Sequence, residues 1–223
     1  MTNELANIIA DVITDVLRAH RPAYSRSDVG GTQNMVPVGI SARHVHLSRQ
    51  DVDALFGEGY VLTYTKPLTQ PEQYVTNDFV SLVGPKGTLA TIRVLGPERK
   101  ETQVEISRTD ARAIGLEPPV RPSGVLGGSP GAVLRGPAGE IALDFGVIIA
   151  DRHLHLTVDE AQAYQLSNGD RIRIFVPGDR GGTMENVAVR AGEGNALALH
   201  LDTDDGNAFG LSQGQMLRIE KMR

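Results

Sequence analysis

The sequence contains no cysteine and no tryptophan, and only five phenylalanines and five tyrosines among 223 residues. Without cysteine the chain forms no disulfide, offers no thiolate to a metal and has no thiol nucleophile. A metal ion must therefore be held by histidine and carboxylate side chains, and acyl chemistry must proceed without a thiol on the protein. The six histidines are His20, His44, His46, His153, His155 and His200.

Basic residues and long apolar segments are also scarce. The chain has 22 Lys and Arg against 27 Asp and Glu, and no basic stripe, so we expect no nucleic-acid partner. No apolar run approaches the roughly 18 residues of a membrane span, so we expect no membrane association. Because no cationic leader with a small-residue cleavage site is present, we expect a cytoplasmic protein. The length allows one or two domains with a sizeable core.

The amino-terminal end has a different pattern from the rest of the chain. Apolar residues recur with helical spacing over residues 3–18, which predicts an amphipathic helix within residues 1–20. Residues 21–35 carry turn formers and no periodicity, which predicts a linker. Two interpretations of the helix remain open. It packs on its own core or on a dimer mate, or it binds a partner as a targeting peptide.

From residue 36 onward, short strand-like runs alternate with glycine and proline turns. This pattern predicts a mainly β fold with short α-helices. Residues 118–139 are rich in proline and glycine and are predicted to form a loop. That loop is either a linker or a ligand-contacting segment.

The motif R-H-[VL]-H-L-[ST] occurs twice, at residues 43–48 and 152–157. On a strand, the two histidines of each motif point to the same face. Two imidazoles aimed one way have the geometry of adjacent metal ligands. The Ser or Thr that closes each motif has an acidic residue three positions later, which predicts the start of a helix.

The same order of candidate ligand, apolar residue and helix cap occurs at two further positions, after Glu105 and after His200. Two such units lie in each half of the sequence, so the candidate ligands form two sets: His44, His46 and Glu105, and His153, His155 and His200. Three protein ligands with an open position are typical of catalytic zinc. Ligand type also suits cobalt, nickel or iron. Two metal ions could clamp one oxyanion between them.

Arg43 and Arg152 each lie directly before a histidine pair. Two roles are consistent with that position. Each arginine binds an anion next to the metal ligands, or it braces the strand that carries them.

Three segments, residues 38–48, 125–131 and 147–157, closely resemble the PduL-type phosphate propanoyltransferases, which are phosphotransacylases of bacterial microcompartments. The resemblance covers about residues 36–223. It departs at Leu156-Thr157, where relatives often have Met-Ser, but threonine also caps helices.

The resemblance implies two β-barrel domains capped by short helices, a central one over residues 43–149 and a second over residues 36–42 plus 150–223. It implies two zinc ions in the two ligand sets and a catalytic Arg99 on the phosphate. It further implies a homodimer in which residues 3–18 direct the chain to a microcompartment shell or core protein, as in propanediol degradation.

The implied reaction converts acyl-CoA (propanoyl-CoA or acetyl-CoA) and phosphate into acyl phosphate and CoA. Because no cysteine can carry the acyl group, we expect direct attack of zinc-bound phosphate on the thioester. Two alternatives remain open. One is a dizinc hydrolase that cleaves a thioester or phosphoester with the same ligands, and the other is a non-enzymatic metal-binding or shell-interacting protein.

Overall fold

The structure is a computed structural model that describes residues 34–222. The amphipathic helix predicted within residues 1–20, and nearly all of the linker predicted over residues 21–35, lie outside the described residues. None of the helices in the described part is long and apolar enough to cross a membrane.

The described residues form fifteen short strands and four short helices. The strands are β1 (Met35–Ser41), β2 (His44–His46), β3 (Tyr64–Pro67), β4 (Tyr74–Val83), β5 (Thr88–Gly96), β6 (Gln103–Glu105), β7 (Val120–Arg121), β8 (Ala132–Arg135), β9 (Glu140–Leu143), β10 (Val147–Ala150), β11 (His153–Leu156), β12 (Arg171–Val176), β13 (Gly182–Ala191), β14 (Ala198–Asp202) and β15 (Met216–Lys221). The helices are α1 (Arg49–Phe56), α2 (Arg108–Ile114), α3 (Val158–Ala163) and α4 (Thr203–Phe209).

Six strands close into a barrel in the order β1-β14-β11-β13-β12-β15, and β15 pairs with β1 to complete it. Alternate residues along these strands point inward, so the barrel core is a compact set of aliphatic side chains. Leu154, Leu156, Ile172, Ile174 and Leu199 are fully buried there.

The remaining strands form a nine-stranded sheet in the order β7-β10-β6-β2-β5-β4-β8-β9, with β3 added beside β4. Its apolar face packs around Leu47, Leu55, Leu82, Ile92 and Val104. The predicted fold class, mainly β with short helices, is confirmed. Only one of the two sheets closes within residues 34–222. The other runs from β7 to β9 without pairing between these two end strands, so it is a half-barrel.

The chain passes between the two sheets twice. It leaves the barrel after β1 and enters the half-barrel with β2, and it returns between β10 and β11. Both crossings lie directly before a histidine pair. They also lie beside the predicted domain limits at residues 42–43 and 149–150, and the division into those domains stays a prediction.

All four predicted helix starts are confirmed, each two residues after a candidate ligand. The cap side chains of Ser48, Ser107, Thr157 and Asp202 accept hydrogen bonds from the backbone N–H three residues later. This bond satisfies one of the orphan donors at a helix start. The cap therefore fixes where each ligand-bearing strand ends and its helix begins.

Candidate active site

Strand register places the first histidine of each pair directly opposite the third candidate ligand. His44 on β2 is the antiparallel partner of Glu105 on β6, and His153 on β11 is the antiparallel partner of His200 on β14. Directly opposed residues have Cβ atoms about 5 Å apart, so their side chains meet. The Nε2 atom of His44 is 3.5 Å from Oε2 of Glu105.

The second histidine of each pair completes a group of three. The ring centroids of His44 and His46 are 5.2 Å apart, and those of His153 and His155 are 4.7 Å apart. Within each group the three candidate ligand atoms lie within 4.8 Å of one another. The structure thus brings together the two predicted sets, and the metal bound to each stays a prediction.

Backbone carbonyls orient the first histidine of each pair. Nδ1 of His44 is 2.8 Å from the carbonyl oxygen of Ala42, and Nδ1 of His153 is 2.7 Å from that of Asp151. A carbonyl only accepts, so Nδ1 donates and carries the proton in the neutral ring. Nε2 of both rings therefore keeps a free lone pair, the state that metal-ligating histidines adopt.

The second histidine of each pair has an orphaned ring nitrogen. Nδ1 of His46 and Nδ1 of His155 are buried and have no hydrogen-bond partner among the described residues. An unpartnered buried polar atom costs about 1–3 kcal/mol. A metal ion bound through Nδ1 of either ring would give that nitrogen a partner, so both groups fit a metal ion.

Burial keeps the imidazoles neutral. It lowers the pKa of His153 to about 2 and the pKa values of His155 and His200 to about 4, with the charge of Arg190 acting in the same direction. Burial also holds the pKa of His46 well below its usual range. Neutral imidazole is the metal-binding form, so these four rings are ready to bind at neutral pH.

The two groups are neighbours. Burial is the main cause of the lowered pKa of His200, and His44 of the half-barrel is close enough to be the last of the contributing residues, after His155 and Arg190. Both groups line one cavity of about 630 Å³, within the usual range for small-molecule sites. Its walls carry all six candidate ligands together with Arg43, Arg93, Arg99, Ser123 and Arg190.

Arg99 is fixed next to His46. Its backbone N–H donates to the carbonyl of Leu47 at 2.8 Å, and its Nη2 donates to Nε2 of His46 at 2.9 Å. Its Nη1 donates to Oγ of Ser123 at 3.1 Å. Burial lowers the pKa of Arg99, and the carboxylate of Glu105 opposes that effect. The arginine expected at the phosphate therefore lies in the cavity beside one ligand group.

Sequence reasoning missed two residues here: Gln103, which holds Glu105, and Ser123, which holds Gln103. Gln103 donates from Nε2 to Oε1 of Glu105 at 2.5 Å and to Oγ of Ser123 at 2.7 Å, and its Oε1 accepts from the backbone N–H of Gly124. Gln103 is two residues before Glu105 and opposite His46 in register, so the alternation used for the histidines could have found it. Ser123 lies within the Pro/Gly-rich segment, part of which thus contacts the site.

Arg43 and Arg152 brace the ligand strands. Arg152 donates from Nε and Nη2 to the two carboxylate oxygens of Asp205 at 2.8 and 2.5 Å, and Arg43 donates to Asp110 at 2.5 Å. Asp110 and Asp205 are the acidic residues in the first turns of α2 and α4, the helices that follow Glu105 and His200. Each arginine thus ties its histidine pair to the third ligand of the same group.

The chain is similar to known enzymes over most of its length. The family model described as phosphate propanoyltransferase matches residues 37–212. A phosphate propanoyltransferase of Rhodobacter capsulatus is 47% identical over 198 residues, 87% of this chain and 92% of the relative. Another, of Thermotoga maritima, is 51% identical over 183 residues, 82% of this chain and 87% of the relative. A third, of Clostridioides difficile, is 39% identical over 221 residues, 99% of each chain.

Proposed function

This chain belongs to the phosphate propanoyltransferase family, and on that premise we propose that it interconverts acyl-CoA and phosphate with acyl phosphate and CoA. The enzyme class is that of a phosphotransacylase. The observation that carries the proposal is a single cavity lined by both ligand groups and by Arg99. Propanoyl-CoA and acetyl-CoA, which differ by one methylene group, are the proposed acyl donors.

We propose that each ligand group holds one zinc ion, the first in His44, His46 and Glu105 and the second in His153, His155 and His200. The neutral rings, the oriented Nε2 atoms and the orphaned Nδ1 atoms support this assignment. When bound, zinc would supply Lewis acidity for the thioester carbonyl and the phosphate oxygens.

The position of the ring proton on His46 supports a role for Arg99 in binding an anion. A guanidinium only donates, so the bond from Arg99 requires a free lone pair on Nε2 of His46. If His46 ligates a metal through Nε2, that lone pair is taken; if it ligates through Nδ1, the neutral ring carries its proton on Nε2. In both cases Arg99 loses this acceptor and is available to the phosphate.

The chemistry balances without a covalent enzyme intermediate. A phosphate oxygen attacks the thioester carbonyl carbon, the C–S bond then breaks, and the proton of hydrogen phosphate ends on the CoA sulfur. Cavity side chains position the two substrates for this attack, which makes a bimolecular step effectively unimolecular. The absence of cysteine from the sequence supports the direct route.

The test is CoA release from propanoyl-CoA and acetyl-CoA with and without inorganic phosphate. The proposal predicts release that depends on phosphate and forms acyl phosphate in equal amount. Release of CoA without phosphate would instead identify a dizinc thioesterase. No turnover of either thioester by zinc-loaded protein would leave a non-enzymatic metal-binding protein and overturn the proposal.

We further propose that residues 3–18 direct a homodimer to a microcompartment shell or core protein in the cytoplasm. The apolar face predicted from the sequence supports this. Residues 1–20 fused to a fluorescent protein should sediment with microcompartments, and the Ile13→Asp fusion should not; equal sedimentation of both would contradict the targeting role. Light scattering of the full chain tests the dimer.

A further inference from the structure

Arg190 lies on β13 beside the second histidine of the barrel. The parallel pairing of β11 with β13 places Arg190 next to His155. In the half-barrel, the parallel pairing of β2 with β5 runs from His44 and Arg93 to Val45 and Val94, so Leu95 follows beside His46. The barrel thus has a cation at the position where the half-barrel has an aliphatic side chain. Packing of the strand does not require an arginine at this position.

At least one hydrogen-bond donor of the Arg190 guanidinium has no acceptor. Its Nη2 atom is buried and has no hydrogen-bond partner among residues 34–222. Burial lowers the pKa of Arg190, and the carboxylates of Glu105 and Asp151 oppose this less strongly. Because arginine stays protonated in proteins, the group is a partly desolvated cation.

Neither nearby carboxylate is free to neutralise Arg190. Asp151 pairs with Arg171 at 3.0 Å, and Glu105 is engaged by Gln103 and belongs to a candidate metal group. A buried donor on a cation without a partner is costly. The arrangement is explained if an anion that is not part of the protein occupies the space beside it.

Arg190, on β13 of the barrel, and Arg99, in the loop between β5 and β6 of the half-barrel, line one cavity. The charge of Glu105 raises the pKa of both arginines, so both lie near the same carboxylate. The charge of Arg190 also acts on His153, His155 and His200. One guanidinium therefore lies by each ligand group.

We propose that Arg190 binds the phosphoryl group of phosphate and acyl phosphate from the barrel side, together with Arg99, which lines the same cavity. This inference rests on the proposed function. Arg190 is a desolvated cation already in the protein without substrate, so it is best paired with an anion that is present before the reaction begins. The dianionic phosphoryl group is such an anion. The carbonyl oxyanion exists only transiently during the reaction. Guanidinium groups also match phosphate oxygens in geometry and charge.

The test is direct binding of inorganic phosphate to zinc-loaded protein by calorimetry, with zinc content measured in each sample. Arg190→Gln is expected to weaken phosphate binding at least tenfold, and Arg190→Lys less, with zinc content unchanged. Arg218→Gln is the matched control. It removes an arginine of the same barrel that stacks on Phe175, 3.7 Å from the ring centroid, and is not among the residues that line the cavity.

Two further measurements separate binding from structure and from the reaction. The metal-free Arg190→Gln variant should melt no lower than wild type, since an unpartnered buried cation is removed. In turnover, the KM for phosphate should rise at least tenfold with the KM for acyl-CoA nearly unchanged. If wild type binds phosphate through Arg190 yet releases no CoA, the proposed function fails and the binding site stands. Unchanged phosphate affinity, zinc loss or a lower melting temperature in Arg190→Gln would overturn the inference.

Discussion

At the residue scale, the site depends on histidines that burial keeps neutral and that their neighbours orient. The first ring of each pair donates to a carbonyl two residues earlier, and the second leaves a buried nitrogen without a partner. The unpartnered nitrogens destabilise the protein without metal, because a buried polar atom without a partner is costly. The proposed metal ions would bind to ring nitrogens of the same residues, so the features that weaken the metal-free fold are the ones that suit the proposed ligands.

The depressed pKa of His153 makes the metal-free protein less stable in mild acid. Its pKa is about 2 in the fold and about 6.5 in an unfolded chain, so below pH 6.5 the unfolded state takes up a proton that the fold does not. The contribution of the neutral His153 ring to the unfolding free energy is therefore complete above pH 6.5 and is lost as pH falls below that value. Relative to His153→Asn, wild type should lose about 1 kcal/mol of unfolding free energy per pH unit between pH 6.5 and 4.5. Urea unfolding at several pH values measures this, and parallel pH curves would contradict it.

Glu105 is the single carboxylate among the six candidate ligands. Glu105→Gln keeps its shape and removes its charge, so we expect metal affinity of the His44 group to fall at least tenfold while the His153 group stays loaded. Metal content after dialysis should drop from two ions per chain toward one. The control is Glu140→Gln, which removes an exposed carboxylate paired with Arg135. Two tightly held ions in Glu105→Gln would exclude Glu105 as a ligand.

At the element scale, each ligand group is built from a strand pair and a helix cap that an arginine ties together. Asp205→Asn weakens the two-bond contact with Arg152 at the start of α4. We expect a loss of about 1–2 kcal/mol in unfolding free energy and weaker metal binding by the His153 group, because His200 precedes that helix. Asp53→Asn, at an exposed pair within α1, is the control and should leave metal binding unchanged. Wild-type metal affinity in Asp205→Asn would contradict the bracing role.

The glycine at position 39 leaves room for the ring of the candidate ligand His200. Gly39 on β1 is the parallel partner of His200, and a Cβ atom there would lie 3.3 Å from Cδ2 of His200. Gly39→Ala should therefore displace the ring by a few tenths of an ångström and weaken metal binding by the His153 group several-fold, with little change in melting temperature. Gly127→Ala, where a Cβ atom meets nothing within 4 Å, is the control. Equal metal affinity in the two variants would show that the His200 ring can shift without loss of metal binding, which would contradict the prediction.

Local patterns predicted the elements that carry the ligands, and long-range contacts decided the rest. Alternation and caps within about ten residues located all six candidate ligands, because those signals are local. The contacts of Arg99 with Ser123 and of Arg190 with His155 join residues 24 to 35 positions apart, and no local period encodes them. Closure of one sheet and not the other likewise depends on the pairing of β1 with β14 and β15.

At the scale of the whole molecule, two sheets each present one three-ligand group to a shared cavity. The chain crosses between the sheets immediately before each histidine pair, so the two groups meet where the sheets adjoin. Two guanidiniums, Arg99 and Arg190, accompany the two groups. We therefore propose that both groups form one reaction site in which neither group works alone.

Metal titration of chelated protein, followed by phosphate-dependent CoA release, tests this central claim most directly. If both groups act in one site, activity should stay low while the first zinc equivalent binds and should reach its plateau at two equivalents per chain. Full activity at one equivalent, or activity in protein free of metal, would contradict the account.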